Sequence, residues 1–118
     1  MTHPTRGQVY LVRFDPTIGH EIQKTRPALI IQNDIGNKFS QVTIVAAITS
    51  KLSPVPYPIE VPVSPTKQNG LTAQSAIQLD QIRSVDRKHL VKPLGKIDQQ
   101  TMAKVDEAIK VSLGLIDL

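Results

Sequence analysis

Three segments near the start of the chain alternate or run apolar over strand-like lengths. Gln8 to Phe14 is rich in β-branched and aromatic residues and closes at Asp15-Pro16, which predicts a strand followed by a loop. Thr17 to Thr25 is polar, and Pro27 biases Arg26 toward an extended backbone, so Arg26 falls where the loop enters the next strand. Ala28 to Gln32 is a short apolar run of the kind that forms a fully buried central strand, with turn chemistry behind it at Asn33-Asp34 and Gly36-Asn37. Gln41 to Ile48 repeats the signal and passes abruptly into Thr49-Ser50-Lys51, which places those three polar residues at a strand end. Four prolines between Pro54 and Pro62 forbid a central strand there, although Ile59 to Val63 alternates well enough for an edge strand.

Lys67 to Gly70 then reads as a turn, Ser75 to Ile82 as a strand, Asp86 to Leu90 as a short helical turn and Leu94 to Ile97 as a last strand. Asp98 has the chemistry of a helix cap, and Met102, Val105, Ile109 and Leu113 recur at spacings of three and four to give one apolar stripe. Five or six strands joined by turns, with one terminal helix, point to a mainly β fold, a small and strongly bent antiparallel barrel or sandwich. At 118 residues the chain fits a single domain. Its aliphatic runs are far shorter than the roughly 20 residues a spanning helix needs, so no membrane segment is expected.

Composition narrows the chemistry. Fourteen Lys and Arg against ten Asp and Glu give net +4, a modest pull toward a polyanion. The six glycines are too widely spaced for a dinucleotide fingerprint or a phosphate-cradling loop. Zero cysteines remove thiol chemistry, and the histidines at 3, 20 and 89 share no helical turn, so no metal or other cofactor is expected. With no secretory signal in Met1 to Gly7, the cytoplasm is the expected address.

The blocks Arg6-Gly7-Gln8-Val9-Tyr10, Phe14-Asp15-Pro16, Gly19-His20-Glu21 and Arg26-Pro27-Ala28-Leu29-Ile30-Ile31 resemble the opening of the MazF/PemK toxin family. Asn33 to Asn37, Val45 to Thr49, Leu79 to Asp86 and Val105 to Ile109 with Ser112-Leu113 look like that family's later blocks in the right order. The proline-rich stretch Leu52 to Gln74 carries little of the likeness. The resemblance implies an SH3-like barrel of five to seven strands with a C-terminal α-helix, assembled as a homodimer. It further implies a toxin paired with a MazE-like antitoxin and cutting single-stranded mRNA without a metal, by attack of the ribose 2′-OH that leaves 2′,3′-cyclic phosphate and 5′-OH ends.

That attack concentrates negative charge on the non-bridging phosphate oxygens, which a bidentate guanidinium answers better than a mobile ammonium. Arg26 is the first catalytic candidate, and Thr49 matches the family's second catalytic position with a hydroxyl that can donate to phosphate. An arginine is a poor proton acceptor, so the general base and acid stay unassigned. Gly19, His20 and Glu21 share the loop before Arg26, with Glu21 read as substrate-positioning. Lys24, Ser50 and Lys51 flank the catalytic pair, while Ser75 and Gln81 match RNA-contacting positions of the family. Arg83, Arg87, Lys88, Lys92 and Lys96 are interrupted by acids and read as a solvated face. The rival readings are a same-fold poison of a protein target such as DNA gyrase, disfavoured by the absence of tryptophan, and a non-catalytic RNA-binding module, disfavoured by four scattered aromatics.

Overall fold

The computed structural model describes residues 3–14, 24–55 and 57–117. The strands are β1 (Gln8–Phe14), β2 (Lys24–Ile30), β3 (Val42–Thr49), β4 (Glu60–Val63), β5 (Ser75–Asp86) and β6 (Leu90–Lys96). Helix α1 (Asp34–Phe39) lies between β2 and β3, a 3₁₀ turn at Arg87–His89 joins β5 to β6, and α2 (Gln99–Ser112) ends the chain. All the strands pair antiparallel in one six-stranded sheet of order β4-β5-β3-β2-β1-β6. The sheet curls without closing, because β4 and β6 form its two edges and do not pair with each other. Both edges contain a proline, Pro62 and Pro93, where a missing N–H leaves no central ladder broken.

Apolar side chains are buried on both sides of the sheet. One cluster gathers Val9, Leu29, Ala46, Ile48, Ile77 and Leu79 under Val105 and Ala108 of α2. The other gathers Val12, Phe14, Ala28, Ile30, Val45 and Val85, with Tyr10 and Leu90 against it. Alternate residues of β1, β2 and β3 supply the two sides, as the two-residue period of a strand requires. Double-sided burial explains why Ala28 to Ile31 and Val45 to Ile48 read as unbroken apolar runs.

Several expectations shift in detail. The turn expected at Asn33 to Asn37 is the start of α1: the Asn33 side chain accepts from the Gly36 N–H at 2.8 Å, capping the helix. Strand β2 begins at Lys24 instead of Ala28, and β5 runs on to Asp86 through an irregularity described below. On α2, Val105 and Ala108 are buried, whereas Leu113 lies past the last turn and is 60% exposed. The stripe therefore ends one turn early, and the Ser112 hydroxyl donates to the Leu79 carbonyl at 2.6 Å where an apolar residue was expected to pack.

Polar contacts lock the elements together. Arg6 donates through Nε to the Ile31 carbonyl (2.9 Å) and through Nη2 to Asp106 of α2 (2.7 Å), while its backbone N–H donates to Asp34 (2.7 Å). Asn37, fully buried, donates to the Gln32 carbonyl (2.9 Å) and accepts from the Thr43 hydroxyl (2.7 Å), joining α1 to β3. Asn37→Ala leaves the buried Thr43 hydroxyl and the half-buried Gln32 carbonyl without their partner, and should cost about 1–3 kcal/mol in urea unfolding.

Three carboxyls are held below their ordinary range, in each case chiefly by a backbone N–H: that of Arg6 for Asp34, of Lys88 for Asp86 and of Thr101 for Asp98, the cap of α2. A group whose pKa is lower when folded stabilises the fold above its unfolded value and loses that contribution as pH falls through the lowered one. Stability should hold from neutrality to about pH 4 and drop below it. In acid titrations monitored by circular dichroism, Asp98→Asn should make the drop shallower.

Candidate active site

Toward the start of β2 its pairing with β3 ends at Ala28↔Ala47, while at the other end it continues past Ile30↔Val45, where the Ile31 N–H donates to the Ile44 carbonyl. Pro27 has no N–H to offer, so the ladder stops there and the two strands part. Continuing the register by two residues, past Pro27 and Ile48, brings Arg26 opposite Thr49. The two catalytic candidates thus flank the split, on the side of the sheet to which their cross-strand neighbours Val12 and Ala76 belong.

A cleft of about 430 Å³ opens at this split. Arg26, Thr49, Ser50, Lys51 and Ser75 line it, with an apolar floor that includes Leu11, Ile48 and Leu94. Among the described residues that line it are two cations, Arg26 and Lys51, and no carboxylate, and those residues attract an anion. Arg26 and Lys51 are exposed, and among the described residues neither side chain is held by a hydrogen bond or ion pair. The Thr49 Oγ1 accepts from the Lys51 N–H at 3.1 Å. This local bond is what any threonine at a strand end tends to make, yet here it also orients the hydroxyl and leaves its proton available to a ligand.

The remaining expected site residues divide. Ser75 is buried at the head of β5, and its hydroxyl donates to the Ala73 carbonyl at 2.8 Å, so it shapes the wall. Gln81 lies outside the lining, exposed on β5. Lys24 opens β2 opposite Phe14 in the backbone register. Gly19, His20 and Glu21 fall outside the described residues. Among the described residues, no three His, Asp or Glu side chains converge as metal ligands would.

One wall came from a region that carried little sequence signal. Gly70, Leu71, Thr72 and Ala73 line the cleft and add the Thr72 hydroxyl to it. The wall is held by Asn69, which is 4% exposed. Its Oδ1 accepts from the N–H groups of Thr66 and Leu71 (both 3.0 Å), and its Nδ2 donates to the Ser64 carbonyl (2.9 Å). The turn also abuts β6, where the Lys96 N–H donates to the Gln68 carbonyl at 2.8 Å. The Asn69-Gly70 pair was the available clue, since it marks a turn that needs a left-handed residue, and Gly70 has φ +71. A Cβ on Gly70 would lie 2.1 Å from the Leu94 carbonyl oxygen. Gly70→Ala should therefore lower the unfolding free energy measured in urea by more than the roughly 1–2 kcal/mol of left-handed strain alone, and widen the cleft.

Comparison with known proteins places this geometry. Residues 5–113 match the model of the PemK-like, MazF-like toxins of type II toxin-antitoxin systems. Endoribonuclease EndoA of Bacillus subtilis is 44% identical over 112 residues, covering 95% of this chain and 96% of that protein. The crystal structure of MazF (Form-I) from Deinococcus radiodurans superposes with a TM-score of 0.77 at 26% identity, over 97% of this chain and 99% of that one. An endoribonuclease in complex with its cognate antitoxin, from a mycobacterial species, gives a TM-score of 0.76 at 26% identity, over 98% and 99%. The chain belongs to the PemK/MazF toxin family of type II toxin-antitoxin systems.

Proposed function

We propose that this toxin is an endoribonuclease that cuts single-stranded mRNA at a short sequence, and that Arg26 and Thr49 carry the reaction. The observation that supports the reading is the split between β2 and β3, which sets the Arg26 guanidinium across from an oriented hydroxyl in a cleft whose described lining is cationic. A phosphodiester seated there receives charge-assisted hydrogen bonds from Arg26 and one from Thr49 as its non-bridging oxygens gain charge. The attacking group is the adjacent ribose 2′-OH; its bond to phosphorus forms as the bond to the 5′-oxygen breaks, leaving a 2′,3′-cyclic phosphate and a 5′-OH. The proton lost by the 2′-OH is matched by the one gained at the 5′-oxygen, and no side chain is assigned to carry it. Lys51 and Ser50 hold the flanking strand, and DNA, which lacks the nucleophile, is not cut.

The relative named as an endoribonuclease favours catalysis over a gyrase-type poison or a passive RNA binder. The partners are mRNA, a MazE-like antitoxin whose acidic segment would be drawn to the same two cations, and a second copy of the chain in a homodimer. No helix among the described residues is long and apolar enough to cross a membrane, and an mRNA substrate sets the place of action in the cytoplasm.

The test is cleavage of a long mixed-sequence RNA in EDTA, with ends mapped by sequencing. Wild type should cut at one recurring word and leave cyclic phosphate. Arg26→Ala should lose about 10²–10³-fold in kcat, and Thr49→Ala roughly 10–100-fold, with Thr49→Ser close to wild type. Cutting that stops in EDTA, or that Arg26→Ala leaves unchanged, overturns the assignment.

A further inference from the structure

Arg83 stands apart from the basic residues with which its sequence groups it. Its guanidinium carbon lies over the Phe14 ring, 5.2 Å from the centroid, well within cation–π range. The contact joins β5 to β1, three strands apart in the sheet, and so depends on the curl. Phe14 is 8% exposed and fixed in the second core cluster, so the guanidinium has a rigid support beneath it. Arg83 itself is exposed, and among the described residues nothing else holds it, which leaves its five N–H donors unspent. Arg87, by contrast, donates to the Ser40 carbonyl.

Register relates this platform to the cleft. Val12 is the cross-strand partner of Arg26, and Phe14 lies two residues along β1 on the same side, about 7 Å away in backbone terms. On β5, Arg83 pairs with Val45, a member of the same cluster as Phe14. Arg26, Phe14 and Arg83 therefore share one side of the sheet, within reach of a nucleotide or two of extended RNA.

We propose that Arg83, backed by Phe14, is a stacking platform for one unpaired nucleobase beside the scissile phosphate. The inference rests on the endoribonuclease reading. RNA-binding proteins stack splayed bases on aromatic rings and on guanidinium planes alike. This chain has only two tyrosines and two phenylalanines, and here a buried ring lies beneath an exposed guanidinium and lends it rigid support. The fork at the rim of that plane can also donate to the edge of a neighbouring base, which makes the position a contributor to the recognised word. An ammonium at the same place would keep the charge and lose the plane.

The experiment uses the full-length protein and an oligoribonucleotide carrying the word that the wild type cuts, together with analogues made abasic one position at a time. Arg83→Ala and Arg83→Lys should each raise KM about tenfold with kcat within about twofold. One abasic position near the cut should cost the wild type the same factor and cost both variants almost nothing. A common thermal midpoint establishes that the variants fold; if Arg83→Ala does not, Arg83→Lys carries the test. Full activity in Arg83→Lys assigns a charge contact to phosphate and overturns the platform, as does an abasic profile unchanged in both variants while cleavage persists. Failure of the wild type to cut any RNA removes the endoribonuclease reading, and the platform with it.

Discussion

A three-residue slip in the pairing of β3 with β5 is the constraint on which the architecture turns. Ala46 pairs with Ile82 and Ala47 with Gln78, so a single step along β3 spans four residues of β5 and leaves Leu79, Asp80 and Gln81 as the excess. Because the excess is odd, β5 changes the side to which its alternate residues point. Ile77 and Leu79 before the slip belong to the core under α2, while Val85 beyond it belongs to the opposite cluster. The slip is held in place through the Leu79 backbone: its N–H donates to the Ile59 carbonyl, and its carbonyl accepts from the Ser112 hydroxyl. Without it Arg83 and Val85 would swap sides with Ile82, and Arg83 would not meet Phe14.

A second irregularity makes the cleft. A sheet paired along its full length offers no opening between neighbouring strands, and Pro27 ends the β2–β3 ladder where Arg26 and Thr49 come opposite each other. The rigidity of the site comes from the buried residues just behind the split, Ala28 and Ala47, and from β1, which continues to pair with β2 through Arg26 and beyond. One strand edge is thus released for ligand while the other stays anchored, which presents polar groups without loosening the core.

The strands, the edge position of the proline-rich segment, and the capped C-terminal helix were legible because each follows from local patterning. Thr49 was legible as a strand-end residue, and family resemblance paired it with Arg26; Arg26 was expected where a loop enters its strand but lies inside β2, two residues past its start, and the placing of the two across a split depends on a register that no single segment encodes. Gln81 could be placed on a strand but not relative to the cleft, because the slip at residues 79–81 is a two-strand property. Arg83 was grouped with nearby cations for the same reason: sequence proximity says nothing about which side of a curled sheet a residue takes. The wall at residues 70–73 was missed because its shape depends on three hydrogen bonds from one buried asparagine and on a backbone approach to β6.

That approach has a counterpart on the other strand. A Cβ on Gly95 would lie 2.3 Å from the Gln68 carbonyl oxygen, so β6 and the 67–70 turn meet backbone to backbone with a glycine on each side. Two positions 25 residues apart are thereby under one joint steric condition, and neither can gain a side chain while the other's surroundings stay fixed. Replacing either glycine in this chain must move the loop away from the last strand, and the wall of the cleft moves with it.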